Sequence, residues 1–355
     1  MTTEDTSPKP IKIKKKRGRK RKKDVNFDDF KVDVDNIHTV EDLIKLAKDW
    51  DKFHKEISIK SKKRQKLCKK AYDLNTLFSI VVHLEELNDM VGLEEVKKTV
   101  VNQIIFFIQG VNSKEMMHTV ITGPPGVGKT TLARILGGIY SSLGFLSEGH
   151  FMQVGRPDFI AEYLGQTAIK TKRLLNTALG GVLFIDEAYS LGHTSRGDSY
   201  SKEAIDVINQ FLSENTEDFM CIIAGYKNEL KSCFFAGNKG LERRFPWVYN
   251  IKGYSSDQLM EIFRYQVFKN GWFLDVKESI LKKSFKENKE LFTNNGGDCL
   301  TLFDKCKIQS ARSSFGSEST VESINDKSFL KGMEVFKNLK GKDQEERNPL
   351  VNMYI

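Results

Sequence analysis

A loop built to bind an anion through its own backbone limits the folds open to this chain more than any other feature. Gly123, Pro124, Pro125, Gly126, Val127, Gly128, Lys129, Thr130 and Thr131 match the pattern G-x-x-x-x-G-K-[ST] at every fixed position. The glycines let N–H groups converge on a phosphate without Cβ clashes. Lys129 puts a positive charge at the β/γ-phosphates, and Thr130 offers a hydroxyl to Mg²⁺. Residues His118 to Thr122 read as a short buried strand entering the loop. The residues from Thr131 read as the helix leaving it, with its N-terminus aimed at the phosphates.

A second motif stands 57 residues beyond Lys129. Val182, Leu183, Phe184 and Ile185 form an apolar run suited to a strand buried on both faces, followed by Asp186 and Glu187. Asp186 stands where it can hold the water shell of Mg²⁺. Glu187 is placed to orient and deprotonate an attacking water. Together the two motifs point to hydrolysis of a nucleoside triphosphate as well as binding.

Strand and helix patterns alternate from Val91 to about Ile251, with strands expected at His118–Thr122, Phe151–Val154, Val182–Ile185, Phe219–Ala224 and Val248–Ile251. That alternation implies an α/β fold, a parallel sheet flanked by helices. Beyond Ser255 no strand pattern remains, and helices at Asp257–Lys269, Glu278–Leu291, Asp298–Ser313 and Lys327–Leu339 suggest a small all-helical domain. The expected division is a basic tail at 1–23, an acidic linker and N-terminal helices at 24–85, the nucleotide-binding domain at 86–252, the helical domain at 253–340 and a C-terminal tail at 341–355. Within 24–85, helices are expected at Val40–Trp50 and Tyr72–Leu87.

Net charge is +9, and residues 1–23 account for all of it with eleven Lys/Arg against two acids. The run at 9–23 self-repels and has too little apolar surface to fold. It suits a nuclear-localisation signal, a nucleic-acid anchor or a solubilising tail; affinity for polyanions at low salt follows in each case. The five cysteines are scattered without a C-x-x-C pair, which suggests a reducing compartment and no structural zinc. The charged N-terminus lacks a secretory pattern, and no apolar window is long enough to span a bilayer. A soluble intracellular protein of nucleus or cytoplasm is expected, with no membrane partner.

Taken together, these residues resemble the AAA+ ATPases of the CbbX/SpoVK type, over roughly residues 86–340. That group includes the red-type Rubisco activases, and similar proteins are carried by large DNA viruses; viral origin would place this one in a viral factory. The resemblance implies an ATPase with a P-loop core and a helical lid, using ATP and Mg²⁺. Val91 and Gly92 resemble the segment whose backbone contacts adenine. The run from Leu183 through Tyr189 to Leu191 resembles the group's second nucleotide motif. Tyr226 and Lys227 end the segment that resembles sensor 1, where many relatives carry Asn or Thr. Arg244, directly before Phe245, matches the arginine finger, with Arg243 as the fallback. A finger supplied by a neighbour implies a homo-oligomer, a hexameric ring in this group. The start of the small-domain helix at Asn294–Leu300 departs from the group, for it lacks the usual sensor-2 arginine.

Tyr163, Leu164 and Gly165 resemble the first pore loop of protein-threading AAA+ machines. An aromatic grips an extended chain by apolar contact with little sequence demand. An amphipathic helical turn is the plainer account of the same triplet. Residues Gly192–Ser199 suit a second pore loop or a solvated loop. The resemblance implies an ATP-driven remodeller of protein complexes acting on a protein client, and nothing in the chain marks Rubisco as that client. A nucleic-acid-associated ATPase of the helicase-loader or clamp-loader kind, anchored by residues 9–23, is the alternative. A nucleotide-gated scaffold of rare turnover is the third, and Glu187 argues against it.

Overall fold

The computed structural model describes residues 30, 32–33, 36–60, 74–109, 116–163, 165–192, 199–238, 240–315 and 322–347. The basic run at 9–23, Leu164 and residues 193–198 lie outside them. Helices α1 (Val40–Lys60), α2 (Leu74–Ser79), α3 (Val81–Asp89) and α4 (Glu94–Ile108) precede strand β1 (Thr119–Thr122). Helix α5 (Lys129–Ser142), β2 (Phe151–Val154), α6 (Arg156–Phe159), α7 (Thr167–Thr177), β3 (Val182–Ile185), α8 (Ser199–Glu214) and β4 (Met220–Gly225) follow. The short α9 (Lys227–Glu229) leads to β5 (Trp247–Asn250). The small domain holds α10 (Ser256–Lys269), β6 (Phe273–Asp275), α11 (Glu278–Glu287), α12 (Gly296–Ser314), β7 (Ser323–Asn325) and α13 (Asp326–Arg347).

The five central strands pair in parallel in the order β2-β3-β4-β1-β5. Strands β1, β3 and β4 are buried at every position, which is why β3 and β4 read as apolar runs without alternation. The topology inserts β4 between β1 and β3, with Val120 opposite Ile223 and Ile185 opposite the same residue on the other side. The carboxyl ends of three strands therefore meet at one edge, where the chain reverses its direction of winding. Expected strands fall within a residue or so of those observed.

Three expectations need correction. The second N-terminal helix is two, α2 and α3, parted at Ile80. The small domain is not all-helical, because β6 and β7 form a two-stranded parallel sheet with Leu274 opposite Ile324. Three-residue strands are too short to show alternation. Helix α13 also runs on to Arg347, into the stretch expected to be a loose tail.

The N-terminal helices share the core of the sheet domain. Val40, Leu43 and Ala47 of α1, Leu77 of α2, and Leu84 and Leu87 of α3 are buried in one cluster with Val100, Leu136 and Ile222. Phe30, in the segment read as a linker, packs its ring 5.2 Å from those of Trp50 and Phe53. Among the described residues no helix is long and apolar enough to cross a membrane. Because α1 belongs to the main core, Leu43→Ala should lower stability by about 2–5 kcal/mol, the cost of a large-to-small core change. Urea unfolding should show one shifted transition; a separate, earlier transition would mean that α1–α3 form their own unit.

Candidate functional site

Local chemistry shapes the loop between β1 and α5 first. Gly126 and Gly128 have φ of +70° and +88°, a region in which a side chain is strained. A Cβ on Gly126 would also stand 1.9 Å from the carbonyl oxygen of Asn294 in the small domain. The loop leads straight into α5, whose first residues are Lys129 and Thr130.

Lys129 Nζ donates to the carbonyls of Gly123 and Pro124 at 3.0 and 2.9 Å, and lies 5.3 Å from the centre of the Tyr226 ring. Burial holds its pKa below the usual lysine value, opposed by the charges of Asp186 and Glu187. Asp186 follows the last residue of β3; its Oδ2 accepts from Thr130 Oγ1 at 3.4 Å and its Oδ1 from the Glu187 N–H at 3.0 Å. A hydroxyl and a carboxylate brought together are hard oxygen donors, the set that suits Mg²⁺. Glu187 is exposed and adopts left-handed angles, φ 49° and ψ 45°. A non-glycine residue held there costs on the order of 1–3 kcal/mol, a strain common where a side chain must be aimed. Tyr189 has its pKa pushed up to about 12 by burial and then by the neighbouring Glu187 charge, so it stays a neutral hydroxyl. Its ring stacks on Tyr226 at 5.6 Å.

The opening segment closes another side of the loop. Leu93 and Gly92 both have positive φ, and the Lys97 amine holds the turn by donating to the carbonyls of Asn88 and Met90 at 3.0 and 2.7 Å. The Met90 side chain lies against Gly128, and Gln258 and Tyr254 lie against Gly92. Lys129, Thr130, Asp186, Glu187 and Tyr226 thus gather at one edge of the sheet, with Val91 and Gly92 beside the same loop. Lys227, the next residue along, is exposed at the start of α9.

Arg244 lies elsewhere. It comes just before β5, at the amino edge of the sheet, whereas the phosphate loop leaves the carboxyl edge of the paired strand β1. Four residues of strand, roughly 13 Å, separate the two edges. Arg244 Nε donates to Ser213 Oγ at 2.7 Å and Nη1 to the Gly240 carbonyl at 2.6 Å. Arg243 is exposed. Tyr163 is 66% exposed in the loop between α6 and α7, and Gly165 has φ of +80°.

The small domain supplies residues that the sequence did not single out. Tyr254 Oη donates to the Val127 carbonyl at 2.9 Å, and Asn295 Nδ2 to that of Pro125 at 3.0 Å. Asn295 is buried at φ 47° and ψ −117°, and its Oδ1 accepts the Tyr254 N–H at 3.1 Å. The one visible signal was the Asn–Asn–Gly–Gly run, a cluster suited to unusual backbone angles.

Known proteins share this family and fold. Residues 119–232 match the family model described as ATPase family associated with various cellular activities (AAA). The chain is 30% identical over 249 residues to the CfxQ homologue of Pyropia yezoensis, covering 67% of this chain and 83% of that protein. It is 39% identical over 228 residues to a cfxQ-like protein of Acanthamoeba polyphaga mimivirus, covering 63% of this chain but only 56% of the viral protein. Among solved structures, the FIGL-1 AAA domain in complex with ADP aligns with a TM-score of 0.51 at 19% identity, covering 70% of this chain and 83% of that one, a likeness of fold.

Gly126→Ala should force the loop away from Asn294. Binding of a fluorescent ATP analogue should weaken at least about tenfold, the scale of a strained φ plus a displaced contact. Unchanged affinity would mean that the loop tolerates both.

Proposed function

Since the chain belongs to the AAA family of ATPases, in its CbbX/SpoVK branch, we propose that it hydrolyses ATP in a hexameric ring of identical subunits and uses the cycle to remodel protein complexes. The observation that carries the hydrolysis reading is the convergence of Lys129, Thr130, Asp186 and Glu187 at one sheet edge. Gly123 to Thr131 cradle the phosphates through backbone N–H groups, and the Val91–Gly92 backbone takes the adenine. Thr130 and Asp186 would hold Mg²⁺, which when bound neutralises charge on the phosphate oxygens. Glu187 orients the attacking water and takes its proton, Lys129 balances charge at the β/γ-phosphates, and Tyr226 lines the same space.

The position of Arg244 supports a shared site. Lying at the amino edge, it stands away from its own phosphate loop, and a neighbour's phosphates are the ones it would serve. Its bonds to Ser213 and Gly240 fix the root of the guanidinium, which leaves Nη2 as the group to reach across. In rings of this kind the exposed Tyr163, with Leu164 and Gly165, would face the channel and grip the client.

Glu187→Gln should bind ATP normally while turnover falls about 10²–10⁴-fold, the range for losing a general base. Arg244→Ala should lose roughly 10³-fold or more in turnover with binding retained. Mixing it with Lys129→Ala should restore part of the activity, because each supplies what the other lacks; no regain in the mixture would place the finger elsewhere. For the client, the Glu187→Gln protein should co-purify with a protein that is lost when Tyr163→Ala is added. Recovery of nucleic acid alone would favour an anchor role for residues 9–23 over gripping.

A further inference from the structure

Three consecutive peptide groups of the phosphate loop are held from outside by the small domain. The carbonyls of Pro125, Gly126 and Val127 accept hydrogen bonds from Asn295 Nδ2 at 3.0 Å, the Gly296 N–H at 3.0 Å and Tyr254 Oη at 2.9 Å. The N–H groups of those same peptides belong to Gly126, Val127 and Gly128, the donors that a phosphate loop turns toward its anion. Each peptide thus has one end for the nucleotide and one end for the small domain.

The clasp is itself braced. Gln266 Nε2 donates to the Gly296 carbonyl at 2.9 Å. Asp298, 3% exposed, accepts from the Asn294 N–H at 2.7 Å and from Lys340 Nζ at 2.7 Å. That buried ion pair ties the start of α12 to α13, so the clasp moves with the whole small domain. Lys340 is engaged there and is not free to point at a phosphate.

We infer that Asn295 is a positioning residue that couples the small domain to nucleotide through the outward carbonyls of the phosphate loop. An anion on the N–H end of a peptide polarises it and strengthens its carbonyl as an acceptor. Occupancy of the loop therefore tightens the clasp, and movement of the small domain feeds back on the N–H groups. This rests on the ATP reading given above.

Hydrogen exchange of the full chain, with and without ADP and Mg²⁺, tests it. In the wild type, nucleotide should slow exchange at residues 123–131 and also at 294–300. Asn295→Asp keeps an acceptor for the Tyr254 N–H but sets a carboxylate oxygen against the Pro125 carbonyl. It should keep protection at 123–131, lose most of it at 294–300, and lower kcat about fivefold with KM nearly unchanged, the scale of one neutral hydrogen bond. Asn295→Gly, which tolerates the backbone angles, should do the same if the aspartate variant is poorly folded. Wild-type protection and kcat in both variants would overturn the coupling, as would wild-type protection confined to 123–131. Absence of protection at 123–131 in the wild type would instead remove the ATP reading, and the coupling with it.

Discussion

A backbone that turns consecutive N–H groups to one side presents its carbonyls on the other, and buried carbonyls need partners. Much of this molecule follows from that constraint. In the loop from Gly123 to Thr131, the carbonyls of Pro125, Gly126 and Val127 all find protein partners behind it. Those partners are Tyr254, Asn295 and Gly296. The small domain is therefore bonded to the loop itself, close enough that residue 126 has no room for a side chain.

The sheet order adds the second condition. With β4 between β1 and β3, the loop, Asp186 and Tyr226 emerge side by side although they are far apart in sequence. The same parallel pairing sends the residues before β5 to the opposite edge, which carries Arg244 away from its own loop. The gathered site and the arginine held by Ser213 and Gly240 therefore lie at opposite edges of one sheet.

How legible this was depended on how local each feature is. The loop, the acidic pair after β3 and the main strands were visible because each depends on a few adjacent residues and on burial. Short elements escaped: β6 and β7 are three residues each, and the break at Ile80 leaves no mark on an apolar helical pattern. The stretch from 24 to 85 read as an acidic linker and helices, with charge dominating its composition and no sign of where they pack. Its sparse apolar residues, Phe30, Leu43, Leu77 and Leu84 among them, nevertheless join the central core. Tyr226 and Lys227 read alike as neighbours; Tyr226 directly follows a buried strand with its ring against Lys129, whereas Lys227 is exposed at the start of α9.

The sequence by itself determined the loop's chemistry, because glycines, a lysine and a threonine at fixed spacing suffice to shape an anion-binding turn at the start of a helix. It also determined the α/β class through alternation of apolar runs and helical periods. Tertiary structure decided what stands behind the loop and which arginine lies beyond its reach. Those outcomes depend on strand order and on contacts between residues more than a hundred positions apart, such as Tyr254 with Val127 and Asn295 with Pro125. A hydrogen bond to a main-chain carbonyl makes no demand on the accepting residue's side chain, so nothing in the loop's own sequence could announce its partner.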